Sequence, residues 1–294
     1  VKRLFSRRRT VLAAVALLAL ARCGSAAATA PARLQVVATT TLLASLAETV
    51  GAGRADVTSL LPVGASPETY QPSPTDVARL HDAGVIVENG AGLEAWLDAT
   101  LRNVGSTQAR LVVCSAGLPV VAGNPHLWLD PTYARVYVTR MRDAFIAADP
   151  GGAKMYRTNA ALLDTRLVAL DGKIARKLRA LPPDRRGMIV FHNAWLYFNR
   201  RYRLQTLGVI EEYPGTEPSA AHLAQLVDIA RSAKLHTLFA EPEYNPKLMQ
   251  AVARSAGIAT IAVLYDDSVG TSPATRDYVA MLTTDAQTIF DGLR

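Results

Sequence analysis

From Lys154 to Leu181 the chain contains no proline and a single glycine, Gly172. Leu163, Leu167, Leu170, Ile174 and Leu178 recur there at steps of three and four, the period of one helix face. Such a helix would be about 28 residues and roughly 42 Å long at 1.5 Å per residue. Pro150-Gly151-Gly152 punctuates its start and Pro182-Pro183 its end. A helix of that length either lies on one domain or bridges two, and a stiff bridge permits little relative motion. It also divides the chain into halves with the same grammar.

Before it, LQVVATT, ADVTSLLP, VIVENG and RLVVCSAG read as strands, and TLLASLAETVG, PTDVARLHDAG and LEAWLDATLRNVG as helices. After it, GMIVFHN, LQTLGVIEE, HTLFAEPE and ATIAVLYDD are strand-like, and HLAQLVDIARSAK and PKLMQAVARSAG helix-like. Short β-rich apolar runs that alternate with amphipathic helices predict parallel sheets covered by helices. The expected fold is α/β, with two lobes, each a parallel sheet flanked by helices, joined by one long rigid helix. The expected bounds are 34–152 for the first lobe, 153–182 for the linking helix and 183–294 for the second lobe.

Residues 1–30 read as an export signal. Lys2, Arg3, Arg7, Arg8 and Arg9 precede an apolar run from Val11 to Ala21, which is shorter than the roughly 20 residues of a membrane-spanning helix. Ser6 to Leu12 fits a twin-arginine signal. Cys23 follows Leu20 and Ala21 as a lipoprotein cysteine would, but Arg22 stands where a small residue is usual. Lipidation at Cys23 and soluble release after the Ala-rich stretch are both open. Either puts the protein outside the cytoplasm, in the periplasm or on the outer face of the cytoplasmic membrane. Of the net charge of +7, six positive charges sit in residues 1–22, leaving +1 for the remainder. A near-neutral chain gives no reason to expect nucleic-acid binding. Beyond Cys23 the only cysteine is Cys114, in the apolar run ARLVVCSAG, so an intrachain disulfide is not expected and Cys114 reads as a small buried hydrophobe.

Four side chains stand out, each after an apolar run or a turn. They are Glu68 in SPETYQPSPTDV, His126 in NPHLWLDP, His192 in VFHNAWLYF and Asp267 in LYDDSVG. Two imidazoles and two carboxylates make a complete site for a divalent transition metal. Two come from each half, and ligands of open α/β sheets gather beyond the carboxyl ends of strands. Taken singly, each has a plainer reading: a solvated Glu in a Pro-flanked turn, a hydrogen-bonded histidine, or a helix-capping Asp266 or Asp267. His81, His222 and His236 read as surface residues.

The segments VVATTTLLASLAETVG, SPETYQPSPTDVARL, NPHLWLDP, YRTNAALLDTRLVALD, VFHNAWLYFNRRY, FAEPEYNPKLMQAVARSAG and LYDDSVG resemble, in that order, the zinc- and manganese-binding solute-binding proteins of bacterial ABC importers, the cluster A-I, TroA-like family. The likeness runs from about Leu34 to Arg294. It implies two α/β lobes, a rigid connecting helix and a metal ion buried between the lobes. His126, His192 and Asp267 match the family's second, third and fourth ligand positions. The first is normally histidine, and here it is Glu68. The His-rich acidic loop that some zinc-binding members carry before the second ligand is absent.

Replacing imidazole by carboxylate gives two nitrogen donors and two anionic oxygen donors. That set favours Mn²⁺ or Fe²⁺ more than an all-histidine site does, although Zn²⁺ binds most such sites tighter than Mn²⁺. The expected cargo is Mn²⁺ or Zn²⁺. A three-ligand site without Glu68 is the other geometry open at this point. The resemblance implies a monomeric receptor that hands its ion to an ABC permease and performs no catalysis. The rivals are a secreted metallohydrolase, with two histidines and a carboxylate on zinc and Glu241 as base if it reaches the cleft, and a surface adhesin.

Overall fold

The computed structural model describes residues 32–104 and 108–294; the export signal over 1–30, with Cys23, lies outside them. β1 (Leu34–Ala38), β2 (Ala55–Ser59), β3 (Val85–Glu88) and β4 (Arg110–Val113) form one parallel sheet in the order β2-β1-β3-β4. α1 (Thr41–Gly51), α2 (Pro74–Asp82) and α3 (Leu97–Val104) make the crossovers. The order reverses between β1 and β3, which opens a crevice beyond their carboxyl ends. α2 starts on a reciprocal capping box between Ser73 and Asp76, with Pro74 in the first turn.

α3 begins later than the periodicity predicts. Glu94, at the expected start, turns back instead: its carboxylate accepts bonds from Thr39 Oγ1 at 2.6 Å and from the N–H groups of Asn89 and Gly90 at 2.7 and 3.0 Å. It thereby ties together the ends of β1 and β3. Cys114 is fully buried, as a small hydrophobe would be.

Two further helices precede the second lobe. α4 (Pro131–Ala148) was not anticipated, although Asp130 caps it through the Thr132 N–H and Pro131 opens it. α5 (Ala153–Arg179) is the long helix, 27 residues, with Tyr156, Ala160, Leu163, Leu167, Leu170, Ile174 and Leu178 on its buried face. Arg176, Lys177 and Arg179 complement the negative end of its dipole. α5 lies against α1, α4 and the last helix, α9 (Tyr278–Leu293). One apolar cluster runs from Leu42 and Phe145 through the α5 leucines to Trp195, Tyr278 and Met281. Truncating one such leucine to alanine costs about 2–5 kcal/mol of stability.

In the second lobe β5 (Gly187–His192) pairs with β6 (Gln205–Glu211), and β7 (Thr237–Ala240) with β8 (Thr260–Val263), all parallel. β5 also runs beside β7, so the order again reverses next to β5. α6 (Leu196–Tyr202), α7 (Ala220–Ser232) and α8 (Lys247–Ala256) cover the strands. Among the described residues no helix is long and apolar enough to cross a membrane.

Candidate metal centre

His192 is the last residue of β5, and Glu241 is the first residue after β7. The two strands are neighbours, so both side chains emerge at the same reversal point. His192 Nδ1 lies 2.5 Å from Glu241 Oε2. A carboxylate only accepts, so Nδ1 carries hydrogen and Nε2 faces the other way. His126 sits in the loop between β4 and α4, where a single 3-10 turn, Leu127–Leu129, follows it. Its Nδ1 is 3.0 Å from Asn124 Oδ1, and the Asn124 amide NH₂ donates to the carbonyl of Asn193 at 2.5 Å. That bond fixes Oδ1 as the acceptor, and so puts the hydrogen of His126 on Nδ1 as well.

Both Nε2 atoms therefore point inward, and they are 3.1 Å apart. Asp267 lies four residues past β8, with Oδ1 3.5 Å from His126 Nε2 and Oδ2 3.8 Å from His192 Nε2. Glu68 Oε1 is 3.6 Å from His126 Nε2. The four side chains each offer a donor atom within 4.8 Å of the others. A tetrahedron of bonds of about 2.0–2.2 Å has edges of about 3.3–3.6 Å, so small shifts fit these atoms around one ion. Among the described residues neither Asp267 oxygen has a hydrogen-bond partner, although both are buried. Two facing imidazole nitrogens and an unpartnered buried carboxylate call for a positive charge.

The electrostatics express the same demand. Burial works against charge on His192, but the carboxylates of Glu241, Asp267 and Glu68 overcome it and lift its pKa to about 10. Burial pulls His126 down, with Asp267 opposing. Burial and the Asp267 charge push Glu68 up to about 8. Asp267 is opposed by its own burial, yet the two imidazoles hold it below the ordinary carboxylate value. Asp266 is raised far above its usual range by burial and by Glu241 and Asp267. A divalent ion would take over the role of the His192 proton.

The four predicted residues do converge. The supporting roles of their neighbours did not emerge from the sequence. Trp195 Nε1 donates to Asp266 Oδ2 at 3.1 Å, and Asp266 Oδ1 accepts the Asp267 N–H at 2.9 Å. Trp128 Nε1 donates to the Asp266 carbonyl at 2.6 Å. Glu241, the candidate base, is engaged with the outer nitrogen of His192. His192, Glu241 and Asp266 form a second acidic group, which shares His192 with the first. His81 is exposed, His236 is exposed, and His222 bonds the Val209 carbonyl at 2.8 Å; none of the three belongs to the cluster.

The family described as zinc-uptake complex component A, periplasmic, matches residues 36–292. The manganese-binding lipoprotein MntA of Halalkalibacterium halodurans is 29% identical over 265 residues, which is 88% of each chain. The iron-binding protein YfeA of Yersinia pestis is 27% identical over 271 residues, 88% of this chain and 86% of YfeA. The crystal structure of ZnuA superposes with a TM-score of 0.81 at 28% identity, covering 90% of this chain and all of the other.

Proposed function

This chain belongs to the family of periplasmic A components of zinc-uptake complexes, and we propose that it captures one divalent transition-metal ion through Glu68, His126, His192 and Asp267 and delivers it to an ABC permease. The observation that carries this reading is the meeting of two inward-facing Nε2 atoms with the unpartnered Asp267 carboxylate. The cargo is Mn²⁺ or Zn²⁺. The relatives are named for manganese and iron as well as zinc, and two oxygen donors beside two imidazoles suit any of these ions.

The protein works outside the cytoplasm as a monomer, with Cys23 as its candidate lipid anchor. Its lobes span 34–152 and 183–294, with 153–182 between them. No reaction is done on the cargo. Function is a difference in affinity between a holding and a releasing state. Calorimetric titration with Mn²⁺ and with Zn²⁺ tests this. One ion bound per chain is expected. No saturable binding of either ion would contradict the reading.

A further inference from the structure

Glu68 rides on the loop between β2 and α2, and most of that loop is anchored to its own lobe. Trp96 Nε1 donates to the Pro67 carbonyl at 2.9 Å, and Tyr70 Oη donates to Asp76 at 2.8 Å. The loop also reaches the second lobe at Gly64, whose N–H donates to Ser268 Oγ at 3.2 Å. The Ser268 hydroxyl in turn donates to Glu243 Oε1 at 2.5 Å. Ser268 directly follows the candidate ligand Asp267, and Glu243 stands two residues past Glu241. Gly64 has φ +81°, so its N–H is presented from a left-handed turn that favours glycine.

The geometry points to Ser268 as a positioning residue that latches the Glu68 loop over the cargo and sets how fast the ion leaves. The inference rests on the proposed metal-binding function. Among the four candidate ligands, Glu68 alone has appreciable exposure, at 20%, against 3% or less for the others. An ion that leaves must therefore pass where Glu68 swings out, and the Gly64–Ser268 bond must break for that loop to lift. The hydroxyl is needed in both directions. It accepts from Gly64 while it donates its own proton to Glu243 Oε1, so Glu243 orients the hydroxyl of the latch.

The test is release of bound Zn²⁺ into excess chelator, followed by stopped flow. Ser268→Ala should release zinc about fivefold faster, the scale of one net hydrogen bond, with the association rate unchanged. Glu243→Gln keeps a side-chain oxygen to accept the Ser268 proton and should release zinc at close to the wild-type rate. Hydrogen exchange at the Gly64 amide gives a reading that does not depend on any variant folding. In the wild type, release cannot outrun the opening of this amide if the latch gates the exit. Unchanged release in Ser268→Ala, or zinc that leaves faster than the Gly64 amide opens, overturns the latch alone. A chain that binds no divalent ion overturns both the latch and the function it rests on.

Discussion

The two sides of the candidate metal centre are built to different standards. On one side His126, His192 and Asp267 are at most 3% exposed. Each is braced from behind: His126 by Asn124, His192 by Glu241, and Asp267 by Asp266, which Trp195 holds in turn. On the other side Glu68 is 20% exposed, and among the described residues its one side-chain hydrogen bond is from Ser66 Oγ at 3.3 Å. Three donors are preorganised by packed elements and one is carried by a loop. That difference separates holding power from selectivity and exit. The braced side should set affinity, and the loop side should set which ion is preferred and how it leaves.

The comparison breaks most visibly at Asp267. Asp267→Ala removes the bridging carboxylate from the braced side, and affinity for either ion should fall by about 1,000-fold, some 4 kcal/mol. A loss below tenfold would mean that Asp267 is not a ligand. Acid should act on both sides. In the metal-free protein His192 holds its proton up to about pH 10 and Glu68 up to about 8, so both are protonated at pH 7 and both must lose the proton to ligate. Affinity therefore rises with pH through this range and falls as pH drops. Each proton released per ion contributes about a tenfold loss per pH unit, so two protons should cost about 10,000-fold between pH 7 and pH 5, and one proton about 100-fold. Titration in buffers of different ionisation enthalpy counts the protons; a flat affinity would remove the histidines as joint ligands.

Glu241 probes the bracing itself. Glu241→Gln leaves the four donors in place but weakens the bond that orients His192. Changes of this kind cost about 10–100-fold in metal affinity. An unchanged affinity would show that the strand ends alone position the ring. The smallest effect belongs to the loop. Glu68→His exchanges an anionic oxygen donor for an imidazole and should weaken Mn²⁺ relative to Zn²⁺ by about tenfold, or 1.4 kcal/mol. Paired calorimetry at fixed pH reads the ratio, and an unchanged ratio would take selectivity away from Glu68.

Much of this was legible in the sequence, and for identifiable reasons. The leucine spacing of α5 gave its extent to within about two residues, because one face meets the core and the other meets solvent. The alternation of short β-rich runs matches every strand among the described residues. α4, α6 and α9 are missing from the sequence-based expectations, even though Asp130-Pro131 and Asp277 are recognisable starts for α4 and α9 and Tyr137, Val138 and Met141 keep helical spacing. The four candidate ligands could be picked out by type and by strand-end placement. Their bracing could not, because Asn124 to Asn193, His192 to Glu241 and Trp195 to Asp266 are pairs that only tertiary folding joins. Glu241 carried one usable signal, its place near the end of the strand-like run HTLFAEPE.

The central claim is that one ion is held by donors from both sides. Anomalous diffraction from crystals grown with Mn²⁺ tests it most directly. A single peak should appear between the histidine Nε2 atoms, with Asp267 and Glu68 oxygens at bonding distance of about 2.0–2.3 Å. A peak elsewhere, or a peak bonded to His126, His192 and Asp267 with Glu68 turned out to solvent, would contradict it.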